Sequence, residues 1–216
     1  MVIANHVAFS VNGMSAPLDM ASKFGQMGVQ LFFVASAYTL CLSWQRAHDV
    51  SDSPWRFYVR RVFRIAPLYY FGIALFAAIH YLESDAPGHP TSAVLANMAF
   101  VHGFVPHANN GVVPGGWSIG TELAFYALFP LLMGLYERIP PSQRGLGMLK
   151  LCVLALAFNL IVQAFTFPAM DLRITNNSFA YFNLVNQLPV FLLGMAMYAQ
   201  AEGAQASDAP PAVPRR

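Results

Sequence analysis

The stretch IAPLYYFGIALFAAIHYL, residues 65–82, decides the fold of this chain. It is 18 residues long and contains no Asp, Glu, Lys or Arg and one histidine, His80. A helix crosses a bilayer core about 30 Å thick with roughly 20 apolar residues, because each residue adds only about 1.5 Å. The stretch is therefore predicted to span a membrane, and so is MGVQLFFVASAYTLCLSWQ at residues 27–45.

The composition of the whole chain is typical of a membrane protein. Hydrophobic residue types make up 56% of the chain and charged types 10%, whereas soluble domains carry about 25% charged residues. The predicted fold is all-α, a polytopic transmembrane helical bundle of about six spans plus one short interfacial or re-entrant helix. Residues 1–201 are predicted to form one transmembrane domain, and the Pro- and Ala-rich residues 202–216 a disordered tail. The further spans are expected at residues 1–11 (a partial span), 117–136, 149–166 and 182–200, and the short helix at 91–105.

The distribution of Lys and Arg predicts which side of the membrane each loop faces, because these residues accumulate on the cytoplasmic side. Loops 46–64 and 137–150, together with the tail, carry ten of the 12 Lys and Arg residues. This bias fits an alternating path of six spans only if residues 91–105 do not cross the membrane. The N-terminus and the tail are therefore expected in the cytoplasm, and residues 83–116 on the opposite side.

Cysteine and histidine spacing does not indicate a metal site. Cys41 and Cys152 each lie within an apolar run, and His89, His102 and His107 lack ligand spacing of the HExxH kind. The sequence also contains no phosphate-binding Gly-rich loop and no G-x-S-x-G nucleophile motif. We therefore predict no metal site. No nucleic-acid partner is expected, and the net charge of +2 is too small to indicate one.

Two ionisable residues, His6 and Glu122, lie well inside predicted spans. An ionisable group inside a membrane is costly, so each is a candidate functional residue. If the first span ends near Val11 and the fourth begins near Trp117, both candidates lie five residues, or about 8 Å, below the outer surface. A carboxylate that accepts a hydrogen bond from one imidazole nitrogen would orient the other as a general base. The alternative is that the two are separate structural groups, bonded to backbone or to water.

A second candidate set is the arginine pair in FYVRRVFRIAP. Arg61 and Arg64 are three residues apart, so both project from one helical face, which is predicted to lie at the cytoplasmic surface. Guanidinium groups suit phosphates, of which coenzyme A carries several. The alternative is that these arginines only mark the cytoplasmic side and bind lipid headgroups.

A third set follows in GGWSIGTELAFYALFP. Ser118, Glu122 and Tyr126 are spaced four residues apart and form one polar stripe, which should face protein or water rather than lipid. Asn97 and Trp117 are predicted to line the same cavity. The alternative is that the stripe only makes hydrogen bonds between helices.

These segments resemble the acyltransferase 3 family of bacterial integral membrane acyltransferases. Family members O-acylate sugars of the cell envelope or secreted small molecules, so the resemblance implies a membrane-bound O-acyltransferase of the bacterial inner membrane. The matching segments are ANHVAF around His6, MGVQLFFVASAYTL (27–40), FYVRRVFRIAPLYY (57–70), GGWSIGTELAFYALFP (115–130) and YFNLVNQLPVFLLGMAMY (181–198).

The resemblance also implies roles for individual residues. The family's first-helix histidine, proposed to be catalytic, matches His6, and its arginine pair before the third span matches Arg61 and Arg64. The chain departs from the family in having Ser36-Ala37 where Ser-Gly is usual. It also lacks the arginine expected about ten residues before the histidine and shows six of about ten usual spans, so an incomplete member is expected.

The predicted reaction transfers an acyl group, with acetyl the expected one, from cytoplasmic acyl-CoA to a hydroxyl of an extracytoplasmic sugar. Acyl-CoA is expected as a co-substrate and no bound cofactor is predicted; the other partners are the lipid bilayer and a carbohydrate acceptor. His6, oriented by Glu122, would take the hydroxyl proton, about 20 Å from the arginine face. Two alternatives stay open: a proton-coupled transporter or exporter, and an inactive fragment.

Overall fold

A computed structural model describes residues 27–48, 54–83, 88–166 and 179–208. These residues form seven α-helices and two single-turn 3₁₀ helices, His102–Phe104 and Pro141–Gln143. The α-helices are α1 (Met27–His48), α2 (Pro54–Glu83), α3 (Thr91–Met98), α4 (Trp117–Arg138), α5 (Arg144–Thr166), α6 (Phe179–Phe182) and α7 (Leu184–Asp208).

Five helical stretches in the described part of the chain are long and apolar enough to cross a bilayer. The predicted all-α membrane bundle is thereby confirmed, while the partial span expected at residues 1–11 lies outside the described residues. The five stretches are Met27–Arg46, Trp55–Leu82, Trp117–Arg138, Pro141–Phe165 and Phe179–Gln205.

Contacts between side chains fix the relative directions of the helices. On α1 and α4, Ser36 contacts Glu122 and, further along both helices, Trp44 contacts Glu137, so these two helices run parallel. Helix α2 runs antiparallel to α4, as shown below. Because α2 and α4 follow one another along the chain, the segment between them leaves and re-enters the bundle at the same end, as predicted. Its helix α3 has 8 residues and is shorter than the expected 91–105.

The last long helices, α5 and α7, also run in opposite directions. Arg144 at the start of α5 pairs with Glu202 near the end of α7, and Cys152 bonds to the carbonyl of Pro189, so α5 and α7 are antiparallel. Arg46, Arg138, Arg144 and Lys150 consequently lie toward one end of the bundle, as the loop charges predicted. The arginines of α2 lie deeper.

Helix α2 begins earlier than predicted. The loop expected at residues 46–64 is helical from Pro54, so most of its arginines lie on a helix. The reason is aromatic packing: the Phe57 ring stacks on Phe129 at 5.6 Å and meets Trp44 edge-on at 5.7 Å, which holds the first turns against the bundle. Pro67 consequently lies in the interior of the helix.

The last helix ends later than predicted. Helix α7 continues to Asp208, which is beyond the boundary at residue 202 expected for a disordered tail. Glu202 is anchored there, because its Oε2 accepts from Arg144 at 3.2 Å and from the Tyr136 hydroxyl. The side chains of this ion pair are 19% exposed for Arg144 and 28% for Glu202. The pair therefore keeps the segment helical, although its composition suggested disorder. Residues 209–216 lie outside the described part.

The core of the bundle is aromatic and closely packed. Phe191 of α7 stacks between Phe33 of α1, at 4.4 Å, and Phe125 of α4, at 4.0 Å. Gly194, one turn further along α7, allows a close approach to α1: a Cβ built there would lie 2.9 Å from the Cβ of Ala37. This packing fixes α1 against both α7 and α4, which positions the site described next.

Candidate functional site

A cavity of about 470 Å³ lies between α1, α2 and α4. Each helix contributes one face, with lining residues at helical spacing. The polar lining residues are Ser36 and Thr39 on α1, Arg61, Arg64 and Tyr69 on α2, and Glu122 and Tyr126 on α4. The remaining lining residues are Phe32, Ala35, Ile65, Leu68, Gly72, Val113 and Ile119.

Glu122 is held in this cavity by two hydroxyl donors. Its side chain is 3% exposed, and its Oε1 accepts hydrogen bonds from Ser36 Oγ at 2.8 Å and from the Tyr126 hydroxyl. Tyr126 follows one helical turn after Glu122, which brings the two side chains together. The other carboxylate oxygen, Oε2, makes no hydrogen bond within the described part of the chain. One oxygen is thus fixed, and the other remains available to a further donor.

Ser36 is a site residue that the sequence reasoning did not select. It was noted only for the Ser-Ala pair that departs from the family pattern, and nothing in an apolar run indicates which helix face meets Glu122. Its Oγ also lies 3.3 Å from the Tyr126 hydroxyl. The three polar groups form a compact network across α1 and α4.

The arginine pair lines the same cavity. The Arg61 guanidinium lies 5.7 Å from the ring centroids of both Phe57 and Tyr126, a cation–π geometry. Arg61 is half-buried, whereas Arg64 is exposed. Neither forms an ion pair with another described residue. With one carboxylate and two guanidinium groups, the described lining favours an anionic ligand.

The depth of these arginines corrects the sequence prediction. The Tyr58 hydroxyl lies 3.4 Å from the carbonyl of Ala127, and the Tyr69 hydroxyl lies 2.9 Å from where a Cβ on Gly116 would be. Both tyrosines are on α2 and are eleven residues apart. Their partners, Ala127 on α4 and Gly116 directly before α4, are also eleven residues apart but in the reverse order, so the two helices run antiparallel. That register places Glu122 opposite position 63.

Arg61 and Arg64 are therefore each within two residues of the level of Glu122, or about 3 Å along the helix axis. The predicted separation of about 20 Å between the arginine face and the carboxylate is wrong. It followed from treating residues 46–64 as a surface loop, whereas α2 carries both arginines into the bundle.

Two of the predicted cavity residues support the start of α4 instead. The Ser118 hydroxyl donates to the carbonyl of Gly115 at 2.9 Å, which bonds the backbone of the preceding turn. The Trp117 ring stacks on Phe182 at 4.5 Å and meets Phe33 edge-on at 6.0 Å. Neither side chain is among the lining of the cavity that holds Glu122. Ser118, Glu122 and Tyr126 do follow one another at four-residue spacing on α4, but only Glu122 and Tyr126 line the cavity.

Asn97 also lies outside that lining, in a buried cluster behind it. Its Nδ2 donates to the carbonyls of Ala93 and Ala108, at 2.8 and 3.0 Å, and its Oδ1 accepts from the Tyr69 hydroxyl at 2.6 Å. These bonds tie α3 and the following loop to α2. Asn97 therefore contacts the cavity only through Tyr69, which is itself part of the lining.

His102 belongs to the same cluster, although the sequence indicated only an outer-loop histidine. It is 0% exposed, with Nε2 at 2.9 Å from the Gly116 carbonyl and 3.1 Å from the Tyr69 hydroxyl. A carbonyl only accepts, so Nε2 carries the proton. Burial lowers the pKa of His102, against the opposing effect of the Gly116 and Ala96 carbonyls, and so favours the neutral ring. Gly120 makes this position possible, because a Cβ there would lie 2.7 Å from Nε2.

Two further site predictions concern His6 and metal binding. His6 lies outside the described residues, so its pairing with Glu122 stays a prediction. Within the described ranges, no group of three or more His, Cys, Asp and Glu side chains is arranged to hold a metal ion.

Comparisons with known proteins agree with the earlier resemblance. A family profile described as an acyltransferase domain matches residues 1–210, which is nearly the whole chain. The chain is also 28% identical, over 186 residues, to the acyltransferase MdmB of Streptomyces mycarofaciens. That alignment covers 80% of this chain and 47% of the relative, so the chain spans about half the length of the curated protein it matches. No solved structure gives a significant match. Given the extent of the profile match, the chain belongs to the acyltransferase 3 family.

Proposed function

We propose that the chain forms the acyl-transfer part of a membrane-bound O-acyltransferase. The enzyme would move an acyl group, with acetyl the expected one, from cytoplasmic acyl-CoA to a hydroxyl of an extracytoplasmic sugar or polysaccharide. The observation that carries this proposal is a single cavity containing a buried carboxylate, two hydroxyl groups that bond it, and two guanidinium groups without an ion-pair partner among the described residues.

The arginines are proposed to bind the acyl-CoA donor. Guanidinium groups pair with phosphate oxygens through several parallel N–H donors. Arg61 and Arg64 lie at the depth of Glu122, so a donor bound to them already shares the cavity with the carboxylate. The separation of about 20 Å that the sequence predicted between the arginine face and the reaction centre therefore does not apply.

Glu122 is proposed to orient a general base, for which His6 is the candidate. A hydrogen bond from one imidazole nitrogen to Oε2, the oxygen not used by Ser36 and Tyr126, would leave the other nitrogen as acceptor. That nitrogen takes the proton of the acceptor hydroxyl while the hydroxyl oxygen attacks the thioester carbonyl carbon. The C–S bond then breaks, and the proton passes to the departing thiolate of coenzyme A.

The proposed location is a bacterial inner membrane, with the N-terminus and the C-terminal tail in the cytoplasm. The support for this orientation is that Arg46, Arg138, Arg144 and Lys150 lie toward one end of the bundle, as expected for the cytoplasmic end. Acyl-CoA would then enter from the basic end, and the acceptor from the end where residues 88–116 lie.

Glu122→Gln in the full-length protein tests the proposal. Acyl transfer from labelled acetyl-CoA to the cell-envelope polysaccharide of the native host should fall at least about 100-fold, as for the loss of a group that supports general base catalysis. Glu137→Gln is the matched control, because Glu137 is an exposed carboxylate on the same helix and outside the cavity lining. It should keep activity within about twofold, as expected for an exposed position away from the site.

Equal activity of the two variants, with normal amounts in the membrane, would reject Glu122 as part of the site. His6→Ala should lose transfer to a similar degree. Proton-coupled movement of a solute across the same vesicles, without any acyl transfer, would instead favour the transporter alternative.

A further inference from the structure

A group of uncharged polar and aromatic side chains lies between Glu122 and the end of the bundle opposite the basic end. Gln30 of α1 is six residues before Ser36, and Trp117 of α4 is five residues before Glu122. Both therefore lie about 8–9 Å along their helices from the hydrogen bond between Ser36 and Glu122. Because α1 and α4 run parallel, the two residues are displaced toward the same end.

Helix α6 completes this group. The Thr121 hydroxyl, next to Glu122, donates to the carbonyl of Phe182 at 2.6 Å and so ties α6 to α4. Gln187 Nε2 donates to the carbonyl of Tyr181 at 2.8 Å and ties α6 to α7. The Tyr181 ring lies 5.8 Å from the Trp117 ring, and its hydroxyl accepts from Gln30 Nε2. Contacts from three helices thus hold Tyr181 against Gln30.

The amide of Gln30 is only partly bonded. Its Oε1 is buried and has no hydrogen-bond partner within the described ranges. Buried polar atoms nearly always have a partner, because an unpaired one costs about 1–3 kcal/mol. Exchanging the two ends of the amide would leave an unpaired N–H in place of the oxygen. A hydroxyl group satisfies either arrangement, since it both donates and accepts.

Other amides near this end are explained by helix packing alone. Gln163 Nε2 of α5 donates to Asn159 at 3.1 Å and to Asn186 of α7 at 2.8 Å, and Asn159 donates to Asn186 at 2.9 Å. Such bonds between amides hold membrane helices together. Gln30 differs from them, because its oxygen lacks a partner.

We infer that Gln30 and Tyr181 bind the sugar acceptor, with the Gln30 amide bonded to a sugar hydroxyl. This inference rests on the proposed function, and it places the acceptor outward of Glu122 and the donor toward the basic end. Both side chains are half-buried, and the amide turns about a soft last torsion to meet a ligand. The flat Tyr181 ring offers an apolar surface to the C–H groups of the sugar.

The charge of the surroundings defines the acceptor further. Residues 27–45, 117–121 and 179–201, which form this end of α1, α4, α6 and α7, include no Asp, Glu, Lys or Arg. A charged sugar would find no described counter-ion here, and burying an unpaired charge is costly. The sugar unit bound at Gln30 is therefore an uncharged one.

Steady-state kinetics of the full-length protein in nanodiscs test the inference. Acetyl-CoA and the envelope polysaccharide of the native host are each varied while the other is saturating. Gln30→Met keeps the size of the side chain but removes its hydrogen bonds, and should raise the KM for polysaccharide about fivefold to tenfold. Tyr181→Phe, which frees the amide, should raise it in the same direction. The KM for acetyl-CoA should stay within about twofold in both variants.

Matched controls make the same changes elsewhere. Gln163→Met alters an amide that bonds only other amides, and Tyr198→Phe alters a tyrosine that bonds Gln45 at 2.6 Å toward the basic end. Both should keep the wild-type KM for polysaccharide. An unchanged KM for polysaccharide in Gln30→Met, or an equal rise for both substrates, would overturn the inference and leave the proposed function standing. Absence of any acyl transfer by the wild-type protein would overturn both.

Discussion

Gly194→Ala tests the packing of α1 against α7, because packing and helix propensity predict opposite signs for its change in unfolding free energy. On helix propensity alone, alanine should stabilise an interior helical position by about 1 kcal/mol relative to glycine. In this bundle, the added Cβ would lie 2.9 Å from the Cβ of Ala37 and 3.0 Å from the carbonyl carbon of Val34, and closer still to its oxygen. The packing therefore predicts destabilisation, opposite to the propensity.

The magnitude follows from those distances. Non-bonded carbon atoms are at their optimum separation at about 3.5–4.0 Å, so α1 and α7 would have to separate by up to about 1 Å. Overpacking of this kind costs about 1–3 kcal/mol. Since backbone atoms of α1, and not a flexible side-chain end, block the position, the upper part of that range applies. After the propensity gain of about 1 kcal/mol, we expect a net loss of about 1–2 kcal/mol.

Reversible unfolding in mixed detergent micelles, with SDS as the denaturant, measures this change. The controls are Gly134→Ala and Gly203→Ala, because a Cβ at either position meets no atom within 4 Å. Both should be neutral or slightly stabilising. If Gly194→Ala proves as stable as these two, the close approach of the helices, and the argument built on it, is refuted.

Three other predictions concern single groups. Tyr126→Phe removes one of the two donors to the buried Glu122 Oε1, so it should slow acyl transfer about 10-fold or more and lower the unfolding free energy by about 1.5–3 kcal/mol, as expected for a hydrogen bond to a charged group. His102 has a lowered pKa in the folded state, so the protein should lose stability as pH falls below 6.5, the ordinary value, and His102→Gln should remove that dependence. Glu202→Gln breaks the ion pair with Arg144 and should destabilise the end of α7, measurable as faster hydrogen exchange there.

Each of these has its own contrary result. For Tyr126→Phe, unchanged turnover would mean that the hydroxyl does not support the reaction. For His102→Gln, the pH dependence of stability must be compared at equal ionic strength, and an unchanged slope below pH 6.5 would assign it to another group. For Glu202→Gln, exchange that is unaltered in residues 196–208 would show that the pair does not hold this helix end.

The sequence predicted the fold better than the depth of the site. Long apolar runs require membrane helices whatever their partners, so the five described spans followed from hydropathy. Arg61 and Arg64 were misplaced because charge suggested a surface loop, whereas aromatic contacts of Phe57 extend α2 past them. Local composition carries no information about such contacts between distant segments.

The site was predicted in part for the same reason. An acidic residue in an apolar helix is conspicuous, and its neighbour Tyr126 follows from helical spacing. Ser36 and His102 were not identified, because one is an ordinary small residue in an apolar run and the other is buried only by the folding of its loop around Gly120. Both depend on which helices become neighbours.

Adjacent residues of α1 contact different helices: Ala37 packs against Gly194 of α7, while Ser36 donates a hydrogen bond to Glu122 of α4. A change in tilt of α1 relative to α7 is therefore transmitted directly to the hydrogen bond at Glu122. A helix whose apolar stretch is longer than the bilayer core can respond by tilting. The rate of acyl transfer by this protein should consequently depend on lipid chain length, because membrane thickness alters the hydrogen bond between Ser36 and Glu122.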